Sequence, residues 1–108
     1  MKLPNVEDIY PLSPMQQGIL FHSLYAPHSQ VFHFHFRCTL QGRLDLAALQ
    51  VAWEQTVAQH AILRTGFFWQ GLDQPLQVVR RQVTLPWSVA DWRDKAPATQ
   101  TADLTAWW

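Results

Sequence analysis

Residues 10–24 read Tyr10-Pro11-Leu12-Ser13-Pro14-Met15-Gln16-Gln17-Gly18-Ile19-Leu20-Phe21-His22-Ser23-Leu24 and contain a complete helix start. Ser13 and Gln16 stand at capping-box spacing, in which each side chain satisfies the other residue's backbone N–H. Pro14 falls at the first helical position, where its missing N–H costs nothing. The helix is expected to run to about Tyr25 and to stop before Pro27, since the residue before a proline disfavours helical torsions. Its apolar residues Met15, Ile19, Phe21, Leu24 and Tyr25 spread over more than one face, so both sides are expected to be in contact. Residues 1–12, with Pro4 and Pro11 and no periodicity, read as an extended lead-in.

Downstream, Val31 to Leu40 alternates Phe32, Phe34, Phe36, Cys38 and Leu40 with His33, His35, Arg37 and Thr39, the period of a strand with one aromatic and one polar face. Gly42 marks a turn, and Asp45 suits the N-cap of a second helix. Leu46, Leu49, Trp53 and Val57 recur at helical spacing up to His60. Ile62 to Trp69 reads as a strand, Gly71 to Pro75 as a turn and Leu76 to Val79 as the partner strand. Val83, Leu85, Trp87 and Val89 alternate again, with Pro86 demoting that run to an edge or irregular strand. Asp91 to Pro97 is a polar connection, and Thr101 or Asp103 opens a third helix. The expected order is helix, strand, helix, three strands and a helix, an α/β (mixed α+β) pattern with a mixed sheet.

The chain has 108 residues, eight Lys and Arg against eight Asp and Glu, 48% hydrophobic and 15% charged residues. It is too apolar for a disordered chain, and its apolar runs fall far short of the roughly 20 residues that span a bilayer. Neutral balance argues against a nucleic-acid partner, which requires clustered Lys and Arg. A single cysteine, Cys38, cannot form an internal disulfide and fits a reducing, cytoplasmic compartment. No basic segment followed by an apolar core marks a secretory signal at Met1. Length allows one domain. Trp107 and Trp108 end the sequence just as a periodic segment begins, so the chain is read as cut, with residues 1–108 an incomplete domain.

No complete catalytic constellation is present. His33-x-His35 supplies two imidazoles on one face, but zinc needs further ligands and none is nearby; a polar face lining a cleft is the simpler account. Cys38, alternating with Phe residues, reads as a small buried hydrophobe. Glu7-Asp8 reads as solvated surface, and His60 as a helix end where a partly cationic ring suits the dipole. Arg64 interrupts the apolar run Ile62-Leu63 to Phe67-Phe68-Trp69. An arginine in such a place is either exposed on an edge or buried with a partner, and no acidic residue lies on a segment that obviously faces it.

Residues 10–24 resemble the first core motif of nonribosomal peptide synthetase condensation domains. Gln59-His60-Ala61-Ile62-Leu63-Arg64-Thr65-Gly66-Phe67 resembles their second core motif, at fitting distance, and Gly71 to Val79 continues the likeness. The Ser-Pro-Met-Gln-Gln-Gly form followed by Phe-His is similar to the subtype that accepts a donor ending in a D-configured residue.

The resemblance implies the N-terminal part of a chloramphenicol-acetyltransferase-like lobe, truncated, from a domain of two lobes around a tunnel. It implies peptide-bond formation between a donor thioester and an acceptor amine, each held on the phosphopantetheine of a partner carrier domain. No cofactor is expected to bind directly. Partners would be donor and acceptor carrier domains and neighbouring synthetase domains. The signature His-His-x-x-x-Asp-Gly does not occur in these residues, so no catalytic residue is assigned and the chain alone is expected to be inactive. Arg64 matches the second-motif arginine, implied to support the active site by pairing with a buried acid elsewhere in the lobe. Phe21 and Tyr25, four apart on one helix face, are implied to dock the acceptor carrier, with core packing as the alternative for Phe21. Other readings are a noncatalytic carrier- or protein-interaction module, or an epimerisation or acyltransferase domain of the same fold.

Overall fold

The computed structural model describes residues 4–107; Trp108 of the terminal pair lies outside them. A three-stranded antiparallel sheet in the order β1-β3-β2 organises the chain, with β1 spanning Val6–Pro11, β2 Thr65–Phe68 and β3 Leu76–Arg80. Helix α1 (Pro14–Tyr25) follows β1, α2 (Leu46–Gln59) precedes β2, and α3 (Pro97–Trp107) ends the described chain. The architecture is mixed α and β.

The starts of α1 and α2 are as the sequence predicts. Ser13 Oγ accepts from Gln16 N at 3.2 Å while Gln16 Oε1 accepts from Ser13 N at 2.8 Å, closing the capping box. Asp45 Oδ1 accepts from Ala48 N at 3.1 Å at the start of α2. The β2–β3 hairpin is also as expected, with Thr65 opposite Val79 and Phe68 opposite Leu76. Gly71 turns the connecting loop at φ +71°, a left-handed torsion open to glycine without steric cost.

Several expectations are corrected. The lead-in is an edge strand, β1, which pairs with β3 from Val6 opposite Arg80 to Pro11 opposite Leu76. Residues 33–40 have no regular structure. Alternation reports a side-chain period, but a strand also needs a neighbour for its backbone groups, and no strand pairs with this segment among the described residues. Cys38 is accordingly exposed. Residues 82–92 are irregular as well, and Trp87 Nε1 is buried there without a hydrogen-bond partner among the described residues.

The strand expected from Ile62 begins only at Thr65, because Ala61–Arg64 forms a 3-10 turn. That turn is tightened by Leu63 N donating to His60 O at 3.0 Å and Thr65 Oγ1 donating to Ala61 O at 2.8 Å. The third helix starts at Pro97, before Thr101, with proline in its favoured first position. Helix α1 contains no buried residue, and of the apolar residues expected to be in contact Met15, Phe21, Leu24 and Tyr25 are exposed within residues 4–107.

Burial falls at two places along β3, its junction with α2 and the 3-10 turn and its contact with the start of α1. Leu12, Val57 and Val79 are the buried hydrophobic residues, accompanied by Arg64 and Gln77. The radius of gyration is 18.4 Å, against about 13 Å for a compact chain of this size. Most apolar side chains therefore lie outside this small core.

Candidate functional site

Arg64 is buried at the junction of three elements, and each element brings it one backbone or side-chain acceptor. The last carbonyls of a helix lack partners within the helix. Val57 O is one of these in α2, and it accepts from Arg64 Nε at 3.0 Å. Arg80 O, at the end of β3, accepts from Arg64 Nη1 at 2.5 Å. Glu7 Oε2 accepts from the same Nη1 at 3.3 Å. One guanidinium thus caps α2, holds the end of β3 and reaches β1. The 3-10 turn explains the geometry, since it turns Arg64 away from the strand direction and back under α2.

A bulge aims Glu7. Val6 pairs with Arg80 and Asp8 pairs with Val79, so Glu7 is an extra residue on β1 with no opposite number. Bulges bend a strand and re-aim a side chain, here towards Arg64. Asn5 fixes the start of that strand. It adopts φ +57°, a left-handed torsion that asparagine tolerates, and its side chain exchanges two hydrogen bonds with the backbone of Gln82 at 2.8 and 2.9 Å. The reading of Glu7 as mere solvated surface is therefore corrected, although its side chain remains 44% exposed. An open groove of about 940 Å³ lies beside this junction, with Arg64, Glu54, Arg81 and Gln82 in its lining.

The second predicted feature is on α1. Phe21 and Tyr25 are 70% and 80% exposed, and their rings stack with centroids 6.0 Å apart and planes 13° apart. Within residues 4–107, Phe21 is thus a surface residue. On another side of α1, His22 meets Phe32 edge-on at 5.3 Å. The aromatic pair and Arg64 belong to different elements and form two separate features. His33 and His35 fall in the irregular segment, and no three His, Cys, Asp or Glu side chains converge among the described residues. No helix of the described residues is long and apolar enough to cross a membrane.

Sequence reasoning missed Glu7, because nothing in a period-two pattern marks a bulge. It also missed Gln77, a polar residue buried in the central strand.

Comparison with known proteins gives this arrangement a context. The family described as the condensation domain matches residues 6–108. The chain is 45% identical over 101 residues to a linear gramicidin synthase of Brevibacillus parabrevis, covering 94% of this chain and 2% of that protein. It is 42% identical over 83 residues to malpinin synthetase of Mortierella alpina, covering 77% and 1%. It is 39% identical over 88 residues to a plipastatin synthase of Bacillus subtilis, covering 82% and 3%. The chain spans only a few hundredths of the length of these relatives. With a family match that runs from β1 through the Arg64 junction to α3, this chain belongs to the condensation-domain family of nonribosomal peptide synthetases.

Proposed function

We propose that residues 1–108 form the opening part of the N-terminal lobe of a condensation domain with the chloramphenicol-acetyltransferase-like fold. The domain joins a donor aminoacyl or peptidyl thioester to an acceptor amine, each delivered on the phosphopantetheine arm of a carrier domain. The amine nitrogen forms the new C–N bond, the thioester C–S bond breaks, and the donor arm leaves as a thiol. The family match across residues 6–108 is the observation that carries this reading.

Within it, Arg64 supports the region of the active site by tying α2, β3 and β1 together, and Phe21 with Tyr25 forms the contact for the acceptor carrier. The form of residues 13–18 favours a donor ending in a D-configured residue. The setting is cytoplasmic, beside neighbouring synthetase domains.

Catalysis in this family lies with a histidine motif that these residues do not contain. A group that positions the attacking amine must come within about 2.6–3.2 Å of it, and alignment of the two reactants contributes about 7–11 kcal/mol. The 108-residue chain alone is therefore expected to give no amide above the uncatalysed rate when mixed with loaded carriers, while the intact domain turns over. Mass spectrometry of the carrier-bound product reads the result. Product from the chain alone would move the chemistry to His33, His35 or His60, and an intact domain that never forms product would remove the reading.

A further inference from the structure

Helix α1 is fastened to the sheet at its first turn by two carboxamides. Gln77 lies on the central strand β3 and is 6% exposed. Its Nε2 donates to Pro11 O at 3.1 Å and to Gln16 Oε1 at 3.0 Å. Gln16 Nε2 donates back to Gln77 Oε1 at 3.3 Å. Backbone groups dictate the orientation of both amides. Pro11 offers only a carbonyl to Gln77, so the NH2 of Gln77 must face it. The Ser13 N–H, 2.8 Å from Gln16 Oε1, only donates, so the oxygen of Gln16 must face Ser13. The reciprocal pair then has a single arrangement.

The identity of both residues has a reason here. A glutamate at position 16 would close the capping box equally well, but a carboxylate has no N–H to give Gln77 Oε1. A buried strand position next to Val79 ordinarily takes an aliphatic residue, and a buried polar group is costly unless it is bonded. Gln77 is fully engaged only by Gln16 and Pro11. Past this first turn the attachment loosens. A cleft of about 290 Å³, lined by Leu12, Ile19, Leu20, Phe67 and Trp69, opens between α1 and β2.

We infer that Gln77 is a positioning residue: through its amide pair with Gln16 it sets the angle at which α1 leaves the sheet, and so the presentation of Phe21 and Tyr25. The second half rests on the proposed docking role of that aromatic pair; the first half does not.

Two variants in the intact protein test it. Gln77→Met keeps the length of the side chain and removes its hydrogen bonds. Gln16→Glu keeps the capping box, so the helix still starts, and replaces the N–H given to Gln77 by a carboxylate oxygen that can only accept. Both are expected to speed amide hydrogen exchange over residues 17–25 by about tenfold, the scale of one or two lost hydrogen bonds, with exchange in α2 unchanged. Both should also raise the acceptor-carrier concentration that gives half-maximal rate, with kcat and the donor dependence held.

Unchanged exchange over α1 in both variants overturns the inference, as does faster exchange shared equally by α2 and β2. Phe21→Ala in the same assay separates the two readings. If it leaves the acceptor dependence unmoved, the docking role fails and the exchange data alone decide Gln77. If Phe21→Ala moves that dependence and neither glutamine variant does, Gln77 does not set the presentation of the face.

Discussion

Glu7 Oε2 lies 3.3 Å from Arg64 Nη1, joining residues 57 positions apart. The two ends of this ion pair sit in different media, with the arginine side chain 8% exposed and the glutamate 44%. A half-solvated carboxylate contributes little, about 0–1 kcal/mol for a pair of that kind. Hydrogen bonds from a charged donor to Val57 O and Arg80 O contribute more, about 1.5–3 kcal/mol each. The fixed fork of the guanidinium is what reaches both carbonyls together.

Arg64→Ala in the intact domain should therefore destabilise it by about 3 kcal/mol or more, since Val57 O and Arg80 O both lose a charged donor, or abolish soluble expression. Arg64→Lys should recover only part of the loss, because one ammonium cannot face Val57 O and Arg80 O in fork geometry. Thermal melting measures both. An alanine variant that melts with the wild type and retains full activity would remove the structural role.

Glu7→Gln should behave differently. The amide keeps an acceptor oxygen for Arg64 and gives up only charge at a half-exposed position, so the loss should stay within about 1 kcal/mol. Denaturant titration of the two proteins side by side reads the difference. A loss above about 3 kcal/mol would instead mark a fully desolvated pair.

These residues show what was legible beforehand. The capping box and the Asp45 cap rest on contacts three residues apart and the β2–β3 hairpin on one short turn, and each stands where the sequence places it. The oddity of Arg64 was also visible, since a charge amid Ile62, Leu63 and Phe67 demands a reason. Its partner was not, because Glu7 is aimed by a one-residue bulge that leaves no trace in a hydrophobic pattern. Val31 to Leu40 failed in the opposite way. Its alternation is regular, but pairing is a property of two segments, and no strand lies beside it among the described residues.

Phe21→Ala and Tyr25→Ala test the docking role. Both rings are largely exposed, so truncation should change stability by no more than about 0.5 kcal/mol. A buried aromatic anchor at an interface commonly contributes about 2 kcal/mol or more, roughly thirtyfold in affinity. Condensation rate against acceptor-carrier concentration should shift accordingly, with the donor dependence unaffected. An unchanged acceptor dependence in a folded variant assigns these side chains no part in that contact.

Asp91 supplies a pH signature. Its carboxylate accepts from Arg93 Nε at 3.0 Å, from Arg93 Nη2 at 2.7 Å and from the Arg93 backbone N–H at 3.0 Å, and these bonds hold its pKa below the ordinary value. Because the folded value is depressed, the pairing is fully present above the unfolded pKa of about 3.9 and is lost as pH falls through the lower folded value. Nuclear magnetic resonance titration should place the Asp91 midpoint below that of an unstructured aspartate, and Arg93→Ala should raise it. A midpoint that Arg93→Ala leaves in place would assign the depression to another cause.

The last prediction concerns the 108-residue chain in isolation. Phe34 and Phe36 are 98% and 90% exposed in a segment with no strand neighbour among the described residues, and β1 and β2 each present an unpaired edge there. Contiguous exposed apolar surface and open strand edges both drive association between copies. The buried apolar core of the described residues consists of Leu12, Val57 and Val79, too little to hold those faces away from solvent. The isolated chain should therefore be oligomeric, partly ordered or prone to aggregate at concentrations where a stable domain is monomeric. Light scattering coupled to size exclusion measures the mass, and a thermal scan measures cooperativity. Replacing both rings, Phe34→Ser with Phe36→Ser, should shift the distribution towards monomer without altering the β2–β3 hairpin, which those residues do not touch through the sheet ladder. A sharp monomer peak with one cooperative transition in the unaltered chain would show that residues 1–108 cover their own apolar surface, and the Phe34 and Phe36 rings would then have to be packed in solution.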